Sequence, residues 1–222
     1  MTAPAPVRSR SDAAALAVYD RALRHAAGGR SARLRLHDDL GIVHELDPTA
    51  WTRTHLPGDA GLVARCDGPT LDVGCGPGRL TRLLHRFGCP ALGIDVSGTA
   101  VRMARERGAT ALRRDVFGPL PGHGRWRHLL LADGNVGIGG DPVALLRRCG
   151  ELISRTGRVH VELAMPGTRS WAGTAALGDT RVPFRWAVLS RDDVAEAAAG
   201  AAMHTLTTWT EAGRWFATLA HR

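Results

Sequence analysis

The residues Asp72-Val73-Gly74-Cys75-Gly76-Pro77-Gly78 follow a short apolar run and precede a helix-like segment. A glycine has no Cβ, so its backbone can lie directly against a ligand and takes positive φ at little cost. The spacing is G-x-G-x-G, whereas dinucleotide-binding loops use G-x-G-x-x-G. Pro77 also removes an N–H donor from any phosphate cradle. The loop therefore suits something flat or zwitterionic better than two phosphates.

Three further signals follow at regular intervals. Asp95 closes "GIDVS", 23 residues after Asp72, where a carboxylate can accept two hydrogen bonds from a ribose diol. Asp115, with Val116 and Phe117 beside it, is placed to accept from an amino group of a planar base. Asp133 and Asn135 stand in "LADGNVGIGG". A lone aspartate at a strand end is a common turn or cap residue. Four in register with a glycine loop point to one ligand-binding edge.

The elements that must carry these residues can be read from periodicity. Residues 11–27 show an amphipathic helical pattern with Ser11 as its cap, and a weaker helix is expected over 32–46, ended by Asp47-Pro48. From Thr70 onward, short β-like runs alternate with helical ones, and strands are expected at 70–74, 91–97, 111–117, 127–134 and 158–164. Five such units imply an α/β, doubly wound, mostly parallel sheet with helices on both faces. A helix over 190–202, capped by Ser190, is followed by two strands turning at Gly213, which read as an antiparallel hairpin. The expected domains are a disordered leader at 1–10, a helical lid at 11–66 and a ligand-binding domain at 67–222.

Composition narrows the classes further. The 222 residues suffice for one large domain, and no apolar run approaches membrane-spanning length. The first residues lack the apolar core of a signal peptide, so the cytoplasm is the default location. Cys66, Cys75, Cys89 and Cys149 show neither CxxC spacing nor a zinc-like cluster, and reduced thiols are expected. The net charge is +8, and the 29 basic residues are all arginine, spread along the chain without a basic run. A nucleic-acid partner is disfavoured because the charge forms no footprint.

At "LDVGCGPGR" the chain resembles the class I S-adenosylmethionine-dependent methyltransferases of the small-molecule type, over residues 70–222. The resemblance implies a seven-stranded Rossmann-like sheet ending in that hairpin, with N-terminal lid helices over the site. It implies that Asp72, Gly74, Cys75, Gly76 and Gly78 hold the methionine moiety of S-adenosylmethionine. Asp95 and Val96 would hold the ribose, and Asp115 and Val116 the adenine. Asp133, Gly134 and Asn135 would flank the sulfonium and open towards the acceptor, and Tyr19 would either close over the site from the lid or serve only to pack its helix. The product would be S-adenosylhomocysteine, the acceptor a small molecule, with no metal and no membrane involved.

Such a transfer is an in-line displacement, so the protein must align the reactants and exclude water. A base is needed only when the acceptor arrives protonated. Glu162, near the end of the fifth strand, is the candidate base, and an ion pair with an arginine is the competing role for it. Arg169, Trp171 and Trp186, together with Tyr19 and Asn135, are the candidate acceptor contacts, suited to a flat or anionic molecule. The fourth-strand slot "ADGN" departs from the Asn-Pro-Pro-Tyr type of nucleic-acid amino-methylating enzymes. An RNA methyltransferase, a cofactor-bound protein that transfers no methyl, and a nicotinamide oxidoreductase are the alternatives. The acceptor atom and the oligomeric state are left open.

Overall fold

The first amphipathic stretch forms helix α1 (Arg10–Ala27) in the computed structural model, which describes residues 10–30 and 33–222. The expected leader lies, but for its last residue, outside the described residues. Ser11 falls within the first turn of α1 rather than ahead of it as a cap. The helix expected over 32–46 is instead a β-hairpin of β1 (Leu34–His37) and β2 (Val43–Leu46), paired from Leu34↔Leu46 to His37↔Val43. The period there is two, with Leu34 and Leu36 buried and Arg35 between them exposed. Asp38 fixes the turn by accepting hydrogen bonds from the amides of Leu40 (2.9 Å) and Ile42 (2.8 Å). Such side-chain bonds offer the backbone an alternative to the helix.

Two short helices, α2 (Pro48–Thr52) and α3 (Asp59–Val63), lead into the alternating region. There the chain forms β3 (Thr70–Val73), α4 (Arg79–Arg86), β4 (Ala91–Asp95), α5 (Gly98–Glu106) and β5 (Ala111–Arg113). It returns through β6 (Trp126–Leu131), a kinked 3-10 segment (Asn135–Gly140), α6 (Pro142–Leu152) and β7 (Ile153–Leu163). Next come β8 (Trp171–Leu177), β9 (Val182–Val188), α7 (Val194–Gly200), β10 (Met203–Glu211) and β11 (Arg214–His221). Helix α7 begins four residues after the Ser190 expected to cap it.

The main sheet has seven strands in the order β10-β11-β7-β6-β3-β4-β5. Strand β11 runs antiparallel to both β7 and β10, and the core pairs are parallel. Strand order reverses between β3 and β6, which opens a crevice at their carboxyl ends. Successive residues alternate in direction along a strand. On β6, Leu129 and Leu131 therefore join the larger core under α6 and α7, while Leu130 joins the opposite one with α3 and α4. Among the described residues, no helix is long and apolar enough to cross a membrane.

The stretch after β7, for which no element was expected, supplies β8 and β9. They pair with the N-terminal hairpin in a second, four-stranded sheet, β2-β1-β8-β9. Segments more than a hundred residues apart thus build one cover over the carboxyl edge of the main sheet. The 3-10 segment is wedged against it: a Cβ built on Gly137 would lie 2.1 Å from the carbonyl oxygen of Ala187. Gly137→Ala should accordingly destabilise the fold by about 1–3 kcal/mol, the scale of overpacking. Thermal denaturation checks this, and an unchanged midpoint would mean that the segment and β9 separate freely.

Candidate active site

A cavity of about 920 Å³ occupies the crevice beneath the small sheet. Its floor contains Asp72, Gly74, Cys75, Gly76 and Pro77 from the loop after β3. Its sides contain Asp95 and Val96 after β4, Asp115 and Val116 after β5, and Asp133, Gly134 and Asn135 after β6. Residues dispersed over more than sixty positions thus share one wall. Gly78 is the exception: it caps α4 with a left-handed backbone and lies off the wall.

The loop is held by backbone bonds, the Gly74 and Cys75 amides donating to the Ile94 carbonyl and the Gly78 amide to the Cys75 carbonyl, and by side chains. Asn135 Nδ2 donates to the carbonyls of Val73 and Gly74, both at 2.9 Å, joining the tips of β3 and β6. A Cβ on Gly74 would stand 2.6 Å from that nitrogen, so this residue must be glycine for the clamp to close. Asp95 accepts from the amide of Gly76 at 3.0 Å and from Ser97 at 2.7 Å. Burial raises its pKa, and these backbone bonds pull the other way. Asp115 accepts from the amide of Phe117 at 3.0 Å. Asp72 accepts from the hydroxyl of Thr81 at 2.6 Å, and burial pushes its carboxyl up to about 6.

Below the loop lies a cluster of five charged side chains. Arg79 bonds both Asp59 and Asp133. Arg214 reaches Asp59 at 2.9 Å, Asp133 at 3.2 Å and Glu162 at 2.7 Å. Burial opposes the charge of Asp59, but Arg79 and Arg214 outweigh it and hold the carboxyl below its usual range. Glu162 has no spare oxygen. Its Oε1 accepts from Arg214 Nε at 2.9 Å, and its Oε2 from Arg214 Nη2 and from the Asp133 amide at 2.6 Å. It is absent from the cavity wall, so the arginine pairing prevails over the role of base. The neighbouring His160 is buried in a chain of hydrogen bonds through His128 to Asp67, and none of the three lines the cavity.

Helix α1 closes the cavity from above. Asp20 accepts from the Ser97 hydroxyl, and Arg24 donates to Thr99 at 3.2 Å, tying the helix to the start of α5. Tyr19 lines the cavity, and a Cβ on Gly76 would lie 3.7 Å from its hydroxyl oxygen. Burial, then Asp95, raises the Tyr19 phenol well above its usual pKa, so it stays protonated. Trp186 also lines the cavity, its ring centroid 5.8 Å from that of Phe184. Trp171 and Arg169 do not. Trp171 is buried in the core of the small sheet with Leu36 and Leu177, and Arg169 pairs with Asp38 and Asp39 outside the cavity. Leu34, Leu36, His44 and Leu46 also line the cavity and were not anticipated, because a helix over 32–46 would have scattered them; Trp51 of α2 joins them.

Fold, glycine loop and strand-end carboxylates define the class I S-adenosylmethionine-dependent methyltransferase architecture, and residues 70–118 match the family model described as a methyltransferase domain. No curated protein sequence matches the chain. Among solved structures, the chain is similar to an S-adenosylmethionine-dependent methyltransferase from Bacteroides fragilis in complex with S-adenosyl-L-homocysteine. That similarity has a TM-score of 0.76 and 18% identity, over 97% of this chain and 98% of that one. It is similar also to the 1,6-didemethyltoxoflavin-N1-methyltransferase of Burkholderia thailandensis, with a TM-score of 0.60 and 18% identity over 98% and 92%. A third, an O-methyltransferase from neocarzinostatin biosynthesis, gives 0.56 and 22% over 73% and 53%.

The buried Asp72 makes a prediction about stability. Between about pH 4 and pH 6 the folded protein keeps a proton that the unfolded chain has released, so this residue's contribution falls as pH rises through that window. Asp72→Asn should therefore gain on the native protein by about 2–3 kcal/mol across it and remain level above it, the scale of a two-unit shift. Urea denaturation at a series of pH values measures the difference. A difference that does not change with pH would place the Asp72 carboxyl at its ordinary value.

Proposed function

We propose that this protein transfers a methyl group from S-adenosylmethionine to a small, flat acceptor, by alignment and exclusion of water. The observation that carries the reading is the convergence of the glycine loop and the strand-end carboxylates on one cavity whose other half is apolar. The volume also supports it, since pockets for single ligands occupy roughly 300–1,000 Å³ and this one lies at the upper end.

The residues fit the cofactor. Asp72 spends one oxygen on Thr81 and is strained by burial, so an ammonium group beside it would restore a charge partner. Asp95 can take the ribose hydroxyls, and Asp115 with Val116 and Phe117 can enclose the adenine. Asn135 keeps its oxygen free of the two carbonyls its nitrogen serves. A sulfonium methyl, when the cofactor is bound, is an electrophile that needs no acid. Asp133 is engaged by Arg79 and Arg214, so we assign it to building the wall, with Gly134 and the backbone beside it facing the reacting centre. Tyr19, protonated and above Gly76, excludes water.

The acceptor half is walled by Leu34, Leu36, Trp51, Phe184 and Trp186, which suits an aromatic or fused-ring molecule. The similar Burkholderia structure holds 1,6-didemethyltoxoflavin, and the neocarzinostatin enzyme holds 1,4-dihydroxy-2-naphthoic acid. These support a flat acceptor and a place in secondary metabolism. Calorimetry with S-adenosylhomocysteine should show binding that weakens by about 1.5–3 kcal/mol in Asp95→Ala, the scale of hydrogen bonds to a charged group. Equal affinity in the variant would remove Asp95 from the site, and binding of NAD in place of S-adenosylhomocysteine would return the nicotinamide reading.

A further inference from the structure

The acceptor half of the cavity contains one histidine among the described residues, His44. It stands on β2 opposite Leu36, and Leu46 two residues on is opposite Leu34. All four line the cavity, as a strand with a period of two requires. His44 Nε2 lies 3.2 Å from Oδ2 of Asp38. Asp38 is buried and firmly held: its Oδ1 accepts from the Leu40 and Ile42 amides, and Arg169 Nη2 lies 3.4 Å from Oδ2. Burial works against its charge, but the bonds from His44, Ile42 and Leu40 prevail and hold the carboxyl below its usual range. An ionised Asp38 requires hydrogen on Nε2, which leaves the lone pair of His44 on Nδ1. Nδ1 has no hydrogen-bond partner among the described residues.

Three other groups considered for taking the proton are engaged elsewhere. Glu162 is off the wall with both oxygens bonded to Arg214, and Asp133 is paired with two arginines. Tyr19 is a phenol held protonated. His44 differs in lining the apolar half with its Nδ1 unbonded among the described residues, and with a carboxylate on Nε2 that stabilises the imidazolium once formed. Nucleophile or base, then ring, then carboxylate is the arrangement that orients a general base.

Resting on the methyl-transfer reading above, we propose that His44 is the general base for an aromatic hydroxyl acceptor and that Asp38 is its positioning residue. Nδ1 takes the hydroxyl proton as the oxygen lone pair forms the bond to the methyl carbon. The carbon–sulfur bond breaks with its electron pair going to sulfur, which ends as a neutral thioether. The proton stays on an imidazolium facing Asp38 and leaves to water, for which the ring is placed: the His44 side chain is 48% exposed, on the edge strand of the small sheet. The role of Arg169, expected in the acceptor pocket, becomes that of fixing Asp38 from behind.

The test uses the full chain with S-adenosylmethionine and follows S-adenosylhomocysteine formation with two probes, 2-naphthol and 4-nitrophenol. 2-Naphthol is a weak acid that arrives protonated, and 4-nitrophenol is largely ionised in mildly alkaline buffer. His44→Gln should lower kcat for 2-naphthol by about 100-fold, the lower end of general-base effects, and for 4-nitrophenol by only about 5-fold or less. Asp38→Asn should show the same dependence on acceptor acidity with smaller losses. His44→Ala should recover 2-naphthol turnover on addition of imidazole, which a misfolded variant would not. Equal losses for the two phenols, no rescue by imidazole, or transfer to neither phenol by a native chain that binds S-adenosylhomocysteine would overturn the assignment and leave the methyl-transfer reading standing. A native chain that fails to bind S-adenosylhomocysteine would sink both.

Discussion

Two guanidinium groups facing three carboxylates anchor the carboxyl edge of the main sheet. Arg79 opens α4, Asp59 opens α3, Asp133 follows β6, Glu162 lies near the end of β7 and Arg214 begins β11. Five segments are thereby pinned at one point directly below the glycine loop. Charges removed from water cost several kcal/mol each unless paired, so every member needs the others in place. The cluster sets three carboxyl groups against two guanidinium groups. The excess stands beside the cavity floor, where Asp72 is also buried, and a cationic ligand is favoured there for the same reason.

This pinning leaves the loop itself free of bulky support. Asn135 bridges β3 and β6 across the reversal of strand order, and Asp95 on the next tip receives the amides of Gly76 and Ser97. Both interactions present backbone or short polar groups to the cavity instead of packed side chains. The apolar half comes from another source, a sheet assembled from residues 34–46 and 171–188. One wall is thus rigid and polar, set by the main sheet. The facing wall is aromatic and aliphatic, set by a cover whose two parts meet only in the folded chain.

Much of the binding edge was legible in the order of residues. Periodicity located each core strand, and the aspartates at strand ends fell on the cavity wall because a parallel sheet brings successive carboxyl tips together. Three readings failed for a common reason. Trp171 reads as an acceptor contact, yet pairing with Val188 of β9 and packing with Leu36 and Leu177 bury it away from the cavity. Glu162 reads as a carboxylate near a strand mouth, yet Arg214, 52 residues later, claims both its oxygens. Residues 32–46 read as a weak helix, yet the turn bonds of Asp38 and the distant β8 favour a hairpin.

By itself the sequence determined the main sheet, its closing hairpin and the polar wall of the cavity. Those depend on local alternation, on a glycine loop that tolerates positive φ and on short-range caps, all written in neighbouring residues. Tertiary structure decided which charges are spent on one another, which aromatic residues face the cavity and where His44 stands. These are outcomes of contacts between segments separated by tens to over a hundred residues, and a pairing partner so distant leaves no mark on the local pattern that it overrides.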